Sequence, residues 1–159
     1  MSKISVFTGE GHGKTPAAIG EAIMRAEQGG KVVMIQYLKG KGLDNIEYLK
    51  RLEPEVKLFR FEKSDMLFDE LSEEKKEEEK INIKNGINFA RKVISTGECD
   101  LLILDELLGI IDNDIISVDE VISMLNLRPD NMDIILTGIN IDDKVLAVAD
   151  AVTKLDCVK

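Results

Sequence analysis

The fold of this chain is decided by the stretch Ile4-Ser5-Val6-Phe7-Thr8-Gly9-Glu10-Gly11-His12-Gly13-Lys14-Thr15. A short apolar run of strand-forming residues breaks into a glycine loop, ends in Gly-Lys-Thr and is followed by a helical pattern. Glycine at alternating positions lets successive backbone N–H groups point toward one anion. The helix that follows adds the positive end of its dipole. The stretch therefore predicts a phosphate-binding loop between a strand and a helix.

The polar residues of this loop have predicted roles on a bound nucleotide. Lys14 would bridge phosphate oxygens, and the hydroxyl of Thr15 would complete a Mg²⁺ coordination shell. His12, the only histidine, either faces a phosphate oxygen or points to solvent. Pro16 has no backbone N–H, so it removes one donor that this loop could offer a phosphate. The predicted nucleotide contacts are Gly9, Glu10, Gly11, His12, Gly13, Lys14, Thr15 and Pro16.

Two carboxylates follow a later buried strand. Residues 101–104 are all apolar, and Asp105 and Glu106 come directly after them. Acids at the carboxyl end of a strand lie beside the phosphate loop in P-loop folds, where one holds Mg²⁺ directly or through water. The alternative is that Asp105 only caps a following turn. Because the Gly-Lys-Thr loop is present in the same chain, Thr15, Asp105 and Glu106 are predicted to form the metal site.

The rest of the chain alternates strand patterns with helical patterns. Strands are predicted at residues 3–8, 31–37, 56–61, 100–105, 133–138 and 151–155, and helices at 14–28, 43–52, 72–97, 117–126 and 142–149. In the first helix, Ala18, Ile19, Ala22, Ile23 and Ala26 follow the spacing of one buried face. Such alternation implies right-handed crossovers and a mostly parallel sheet. We expect an α/β, P-loop NTPase-like (RecA-like) fold of about six strands with helices on both faces. It would form a single nucleotide-binding domain over residues 1–159.

The composition excludes several other classes of protein. A formal net charge of −9 argues against a nucleic-acid-binding surface, which needs a basic patch. Cys99 and Cys157, the only cysteines, lack the spacing of a zinc site or a disulfide framework. No apolar run approaches the ~20 residues of a membrane span, and the first residues lead into a core strand rather than a signal peptide. The expectation is a soluble cytoplasmic protein with no membrane or nucleic-acid partner.

Several motifs occur in the order and spacing of one known family. They are Thr8 to Thr15, Gln36-Tyr37-x-Lys39-Gly40, Leu104-Asp105-Glu106-Leu107, Leu127-Arg128-Pro129, Leu136-Thr137-Gly138 and Ala149-Asp150-x-Val152-Thr153. Together they extend over nearly the whole chain. The chain resembles the P-loop type ATP:corrinoid adenosyltransferases, which act on cob(I)alamin or cob(I)yrinic acid a,c-diamide.

The resemblance implies a reaction and its participants. The reduced cobalt(I) corrinoid would attack the 5′ carbon of ATP, take the 5′-deoxyadenosyl group and release triphosphate. The implied cofactors are ATP and Mg²⁺, and the corrinoid is the implied substrate. The resemblance also implies a homodimer and a flavoprotein reductant as a partner. Lys14 and Glu106 would carry catalysis, Lys14 on the leaving triphosphate and Glu106 at the metal. The further implied ligand contacts are Gln36, Lys39, Thr137 and Gly138.

The chain departs from this family at positions that contact substrate. Pro16 stands where a second Thr is usual, Ile139 stands where Arg is usual, and the chain has no Trp for the corrinoid-facing segment. We therefore expect the segment from Phe61 to Phe68 to form the wall of the corrinoid site, with both Phe rings as apolar contacts. The alternatives are a nucleotide- or corrinoid-binding relative without transfer activity, and a generic P-loop ATPase or kinase.

Overall fold

A single parallel sheet of six strands forms the centre of the computed structural model, which describes residues 1–38, 46–61 and 66–159. The strands are β1 (Ile4–Thr8), β2 (Val32–Gln36), β3 (Val56–Arg60), β4 (Leu101–Asp105), β5 (Asp133–Thr137) and β6 (Ala151–Lys154). Their order in the sheet is β3-β2-β4-β5-β1-β6, and every neighbouring pair is parallel. The predicted α/β fold, with its strand number and parallel character, is confirmed.

Six α-helices are described around the sheet. They are α1 (Lys14–Glu27), α2 (Ile46–Leu49), α3 (Glu73–Thr96), α4 (Leu107–Asp112), α5 (Val118–Leu125) and α6 (Asp143–Val148), with 3₁₀ turns at Lys50–Leu52 and Phe68–Glu70. Ser72 caps α3, and Gly97 ends it at a φ of 64°. Ser117 begins α5 with a capping box to Glu120. The sequence did not predict α4, and residues 43–45 of the predicted second helix lie outside the described residues.

The two faces of the sheet carry separate apolar cores. On one face, Ala18 and Ala22 bring α1 close to the central strands because their side chains are small. On the other face, α3, α4, α5 and α6 contribute to a larger core with the opposite sides of β1, β2, β4 and β5. The predicted buried face of α1 is wrong at Ile23, which is 46% exposed. Ala18 and Ala22 face the sheet with Ile19 and Ala26 partly buried beside them, whereas Ile23 lies about 100° around the helix from Ala22.

An ion pair fixes the far end of α1 over the sheet. Arg25 Nη2 lies 2.6 Å from Asp133 Oδ2 at the start of β5, and Arg25 Nη1 donates to the Asp100 carbonyl at 3.1 Å. These contacts tie the carboxyl end of α1 to the amino ends of β4 and β5. The amino end of α1 is thereby directed to the opposite edge of the sheet, where the glycine loop lies.

Gly138, just after β5, allows a close contact between β5 and α4. A Cβ at this position would lie 2.3 Å from Leu108 Cβ, so Gly138→Ala is expected to destabilise the fold by about 1–3 kcal/mol through overpacking. Gly20→Ala is the matched control: it lies inside α1, and apart from the adjoining residues and the backbone of its own helix no described heavy atom lies within 4 Å of the added Cβ. Alanine there should stabilise the protein by roughly 0.5–1 kcal/mol. Urea unfolding measures both changes, and equal stabilities for the two variants would contradict the packing described.

Candidate functional site

The glycine loop joins β1 to α1 at the carboxyl edge of the sheet. Gly9 and Gly13 have φ values of 107° and 109°, a region that favours glycine. Gly11 is required for a different reason: a Cβ there would lie 2.6 Å from the Leu155 carbonyl oxygen. The Gly11 N–H donates to that oxygen at 2.8 Å, and the Leu155 N–H donates to the Thr8 carbonyl at 2.8 Å. The segment after β6 therefore supports one side of the loop.

Lys14 folds its side chain back over this loop. Its Nζ donates to the carbonyl oxygens of Gly9 at 2.7 Å and Gly11 at 2.9 Å. Both acceptors are neutral carbonyl oxygens. The ammonium charge therefore lies inside the loop, and no carboxylate of the described residues forms an ion pair with it. An anionic ligand would supply that countercharge and would accept a charge-assisted hydrogen bond from the ammonium.

The amino end of α1 faces the same loop. No side chain caps the helix at Gly13, and the first intrahelical bond runs from the Ala17 N–H to the Gly13 carbonyl at 2.9 Å. Pro16 lies just before Ala17 and is exposed to solvent. If position 16 held any other residue, its N–H would be the last in the helix without an intrahelical acceptor. Glu10 and His12 are also exposed.

Asp105 is the centre of a buried hydrogen-bond network beside the loop. Its carboxylate is fully buried and accepts from Thr15 Oγ1 at 3.0 and 3.1 Å, from Thr137 Oγ1 at 2.7 Å and from Gln36 Nε2 at 3.2 Å. Arg60 Nε in turn donates to Gln36 Oε1 at 3.1 Å. The network joins the first turn of α1 to the ends of four strands. It brings together three of the predicted ligand contacts and one predicted metal acid.

The register of the sheet accounts for this arrangement. Gln36 is paired with Arg60 on one side and with Asp105 on the other. The pair Leu104 and Leu136 places Asp105 level with Thr137. Because side chains alternate along a strand, these strand ends all face α1. Sequence reasoning missed Arg60, because its position beside Gln36 follows only from the strand order.

Glu106 turns the chain away from the sheet. It has a φ of 64° and precedes the first residue of α4, and its N–H donates to Thr137 Oγ1 at 2.8 Å. The Thr137 hydroxyl accepts a hydrogen bond from Glu106 and donates one to Asp105, so it acts as both acceptor and donor. The Glu106 side chain is only partly buried, in contrast to that of Asp105.

These residues fit a divalent cation that shares its shell with phosphates. In the part of the chain that the structure describes, no group of three His, Cys, Asp or Glu side chains could hold a metal. Mg²⁺ in nucleotide sites is held by few protein ligands, with phosphate oxygens and water completing the octahedron. Thr15 donates its proton to Asp105, so a metal would contact its hydroxyl oxygen on the lone-pair side.

The remaining predicted contacts lie at the β3 side of the sheet or outside the described residues. The Phe61 ring packs on Phe89 with centroids 5.6 Å apart, and Lys76 Nζ lies 5.9 Å from the centre of the Phe68 ring. Both Phe rings are partly buried against the larger core. Lys39 lies outside the described residues, as do residues 62–65 between the two rings. The assignment of Phe61 and Phe68 to a corrinoid wall stays a prediction.

Two further observations concern the buried cysteine and the helices. Burial raises the pKa of the Cys99 thiol to about 12, so this buried cysteine is not a thiolate nucleophile at neutral pH. Within the described residues, no helix combines the length and apolar character that crossing a membrane requires.

A glycine loop between the first strand and helix, with a buried acid at the end of a nearby parallel strand, defines a P-loop α/β protein. The whole chain, residues 1–159, matches the family described as ATP:corrinoid adenosyltransferase BtuR/CobO/CobP. The chain belongs to this family, and it is accordingly a transferase.

Two corrinoid adenosyltransferases agree with this assignment. The corrinoid adenosyltransferase of Escherichia coli (strain K12) is 31% identical over 156 residues, which cover 98% of this chain and 77% of that protein. Corrinoid adenosyltransferase CobA of Salmonella typhimurium (strain LT2) has the same identity and the same coverage. Among solved structures, domain III of the Thermotoga maritima replication initiation protein DnaA has a TM-score of 0.43 at 17% identity, over 97% of this chain and 54% of that chain.

Proposed function

We propose that this protein transfers the 5′-deoxyadenosyl group of ATP to the cobalt of a reduced corrinoid and releases triphosphate. The observation that carries the proposal is the Lys14 ammonium, held within the glycine loop by the carbonyls of Gly9 and Gly11 in a chain that belongs to this family throughout. The electron pair of cobalt(I) would form the bond to C5′ while the C5′–O bond breaks. The leaving electron pair would remain on the triphosphate.

The glycine loop supplies positive charge and hydrogen-bond donors for the leaving triphosphate. Negative charge develops on the triphosphate as the C5′–O bond breaks, and preorganised donors stabilise that charge without reorganising. Lys14 is already held within the loop, and the dipole of α1 points toward it. Because the charge on the triphosphate grows as the C5′–O bond breaks, the contribution of Lys14 and the helix dipole would be larger in the transition state than in the bound substrate.

Mg²⁺ would be held by Thr15 together with Asp105 or Glu106. When bound, the metal would neutralise part of the triphosphate charge. Asp105 is fully buried and already accepts hydrogen bonds from three side chains, which favours contact with the metal through Thr15 or through water. Glu106 is the more accessible acid.

The corrinoid and the assembly belong to the same proposal. Phe61 and Phe68 would provide apolar contacts to the corrinoid, and hydrogen exchange of residues 61–68 should slow when a corrinoid is added. Gly138 and Lys39 remain proposed ligand contacts. We also propose a homodimer of single-domain chains in the cytoplasm, with a flavoprotein that supplies the reduced corrinoid. Sedimentation velocity tests the dimer.

An anaerobic assay tests the transfer. Protein, MgATP and chemically reduced cob(I)alamin are mixed, and the visible spectrum is followed for a light-sensitive cobalt–carbon product. The proposal predicts its formation at a rate proportional to protein concentration. ATP binding without the product would instead favour a binding relative that lacks transfer, and would contradict the proposal.

Restoring an N–H at position 16 should strengthen the phosphate site. Pro16→Thr returns a donor at a position with no intrahelical partner, so the gain should fall on the ligand rather than on the fold. We expect ATP or triphosphate to bind about tenfold more tightly, near the lower limit for a hydrogen bond to a charged oxygen. Calorimetry measures the affinity, and the Tm of the unliganded protein should change little.

Pro16→Val is the matched control because it restores the N–H without a hydroxyl. It should tighten binding as much as Pro16→Thr does. An unchanged affinity in both variants would place Pro16 outside the phosphate shell.

A further inference from the structure

Arg60 extends the Asp105 network to the end of β3. Its Nε donates to Gln36 Oε1 at 3.1 Å, and Gln36 itself is 2% exposed. Arg60 Nη2 is buried and has no hydrogen-bond partner among the described residues. The side-chain hydrogen bond of Arg60 is therefore directed at one buried amide, that of Gln36.

Hydrogen bonding to Arg60 on one side and Asp105 on the other permits only one orientation of the Gln36 amide. A guanidinium only donates hydrogen bonds and a carboxylate only accepts them, whereas a Gln side chain has one end of each kind. The Gln36 oxygen faces Arg60, and its nitrogen faces Asp105 at 3.2 Å. A flipped amide would place N–H groups against the cation and oxygen against the carboxylate. Arg60 and Asp105 thus hold Gln36 from both sides.

The orientation of Gln36 has a consequence for Thr15. Asp105 Oδ2 accepts from both Gln36 and Thr15, while Oδ1 accepts from Thr137 and Thr15. Gln36 and Thr137 therefore hold the two carboxylate oxygens from opposite sides. A carboxylate fixed in this way fixes the direction of the Thr15 proton, and hence of the lone pairs that would face a metal.

We propose that Arg60 is a positioning residue of the phosphate and metal site: it orients Gln36, and through it the Asp105 carboxylate that directs the Thr15 hydroxyl. This inference rests on the proposed function, because it assumes that Thr15 holds the metal of bound ATP. Arg60 acts through Gln36 and makes no observed hydrogen bond to Asp105 or Thr15 itself.

The first test measures the Mg²⁺ concentration that gives half-maximal ATP binding. Arg60→Met keeps an unbranched apolar stem but removes the donor, and it should raise that concentration about tenfold, as loss of an outer partner of a metal ligand does. Lys57→Met is the matched control, since it removes a cation from an exposed position on the same strand. It should leave the Mg²⁺ dependence unchanged. An unchanged value in Arg60→Met would overturn the inference.

A double-mutant cycle then separates positioning from direct contact. If Arg60 acts through Gln36, adding Arg60→Met to Gln36→Leu should produce no further loss of Mg²⁺-dependent ATP binding. Additive losses would mean that Arg60 touches the ligand or only supports the fold, and would contradict the proposal.

A measurement without ligand makes the two proposals distinguishable. In the unliganded protein, the side-chain amide protons of Gln36 should exchange slowly with solvent by NMR, and Arg60→Met should speed their exchange at least tenfold while Lys57→Met does not. No change in Arg60→Met overturns the role of Arg60, whatever ATP does. If wild-type ATP binding shows no Mg²⁺ dependence, the metal site of the proposed function fails, and the positioning role fails with it.

Discussion

Lys14→Ala is expected to weaken MgATP binding at least tenfold, about 1.4 kcal/mol, and to slow adenosyl transfer at least a hundredfold. The affinity falls because a charge-assisted contact to phosphate is lost. The rate falls further because the ammonium stabilises charge that develops only as triphosphate leaves. Alanine suits the first position of α1, so the Tm should change little.

Lys31→Ala is the matched control for this variant. Lys31 is exposed before β2, so its substitution removes the same charge without touching the loop. Calorimetry gives the affinity, and stopped-flow spectroscopy gives the transfer rate. A folded Lys14→Ala protein with wild-type ATP affinity would contradict the phosphate-loop assignment.

Asp105→Asn is expected to have the second large effect. The carboxylate accepts from Thr15, Thr137 and Gln36, and an Asn side chain replaces one acceptor oxygen by a donor. At least one buried donor would then face another donor, at a cost of about 1–3 kcal/mol in the free energy of unfolding. Mg²⁺-dependent ATP binding should weaken about 10- to 100-fold.

Glu106→Gln provides the comparison for this prediction. Glu106 is partly exposed, and glutamine keeps its shape, so Mg²⁺-dependent binding or turnover should fall while the Tm barely moves. Chemical unfolding and Mg²⁺ titrations of ATP binding measure both properties. If Asp105→Asn were as stable as wild type, the network described around Asp105 would be wrong.

The local parts of the site could be predicted from the sequence. The glycine loop and the Asp105-Glu106 pair are contiguous motifs, so their chemistry does not depend on which strands are neighbours. The parallel sheet follows from the alternation of strand and helix patterns. The role of Arg60 could not be predicted in this way, because it depends on the pairing of β3 with β2.

Other features depend on packing that a sequence pattern does not contain. The left-handed backbone of Glu106 starts α4 at a residue that carries no glycine signal. The close contact of Gly138 with Leu108 exists only because α4 lies there. Ile23 has helical spacing with Ile19 and Ala26, but the width of the contact between α1 and the sheet decides its exposure.

The identity of the phosphate product tests the central claim most directly. Protein, MgATP and reduced corrinoid are incubated anaerobically, and the phosphate products are resolved by ³¹P NMR beside the spectrum of the corrinoid. The proposed reaction predicts intact triphosphate in equal amount to the cobalt–carbon product, and no triphosphate when the corrinoid is left out. Release of ADP and inorganic phosphate, with or without corrinoid, would contradict adenosyl transfer and favour a P-loop ATPase.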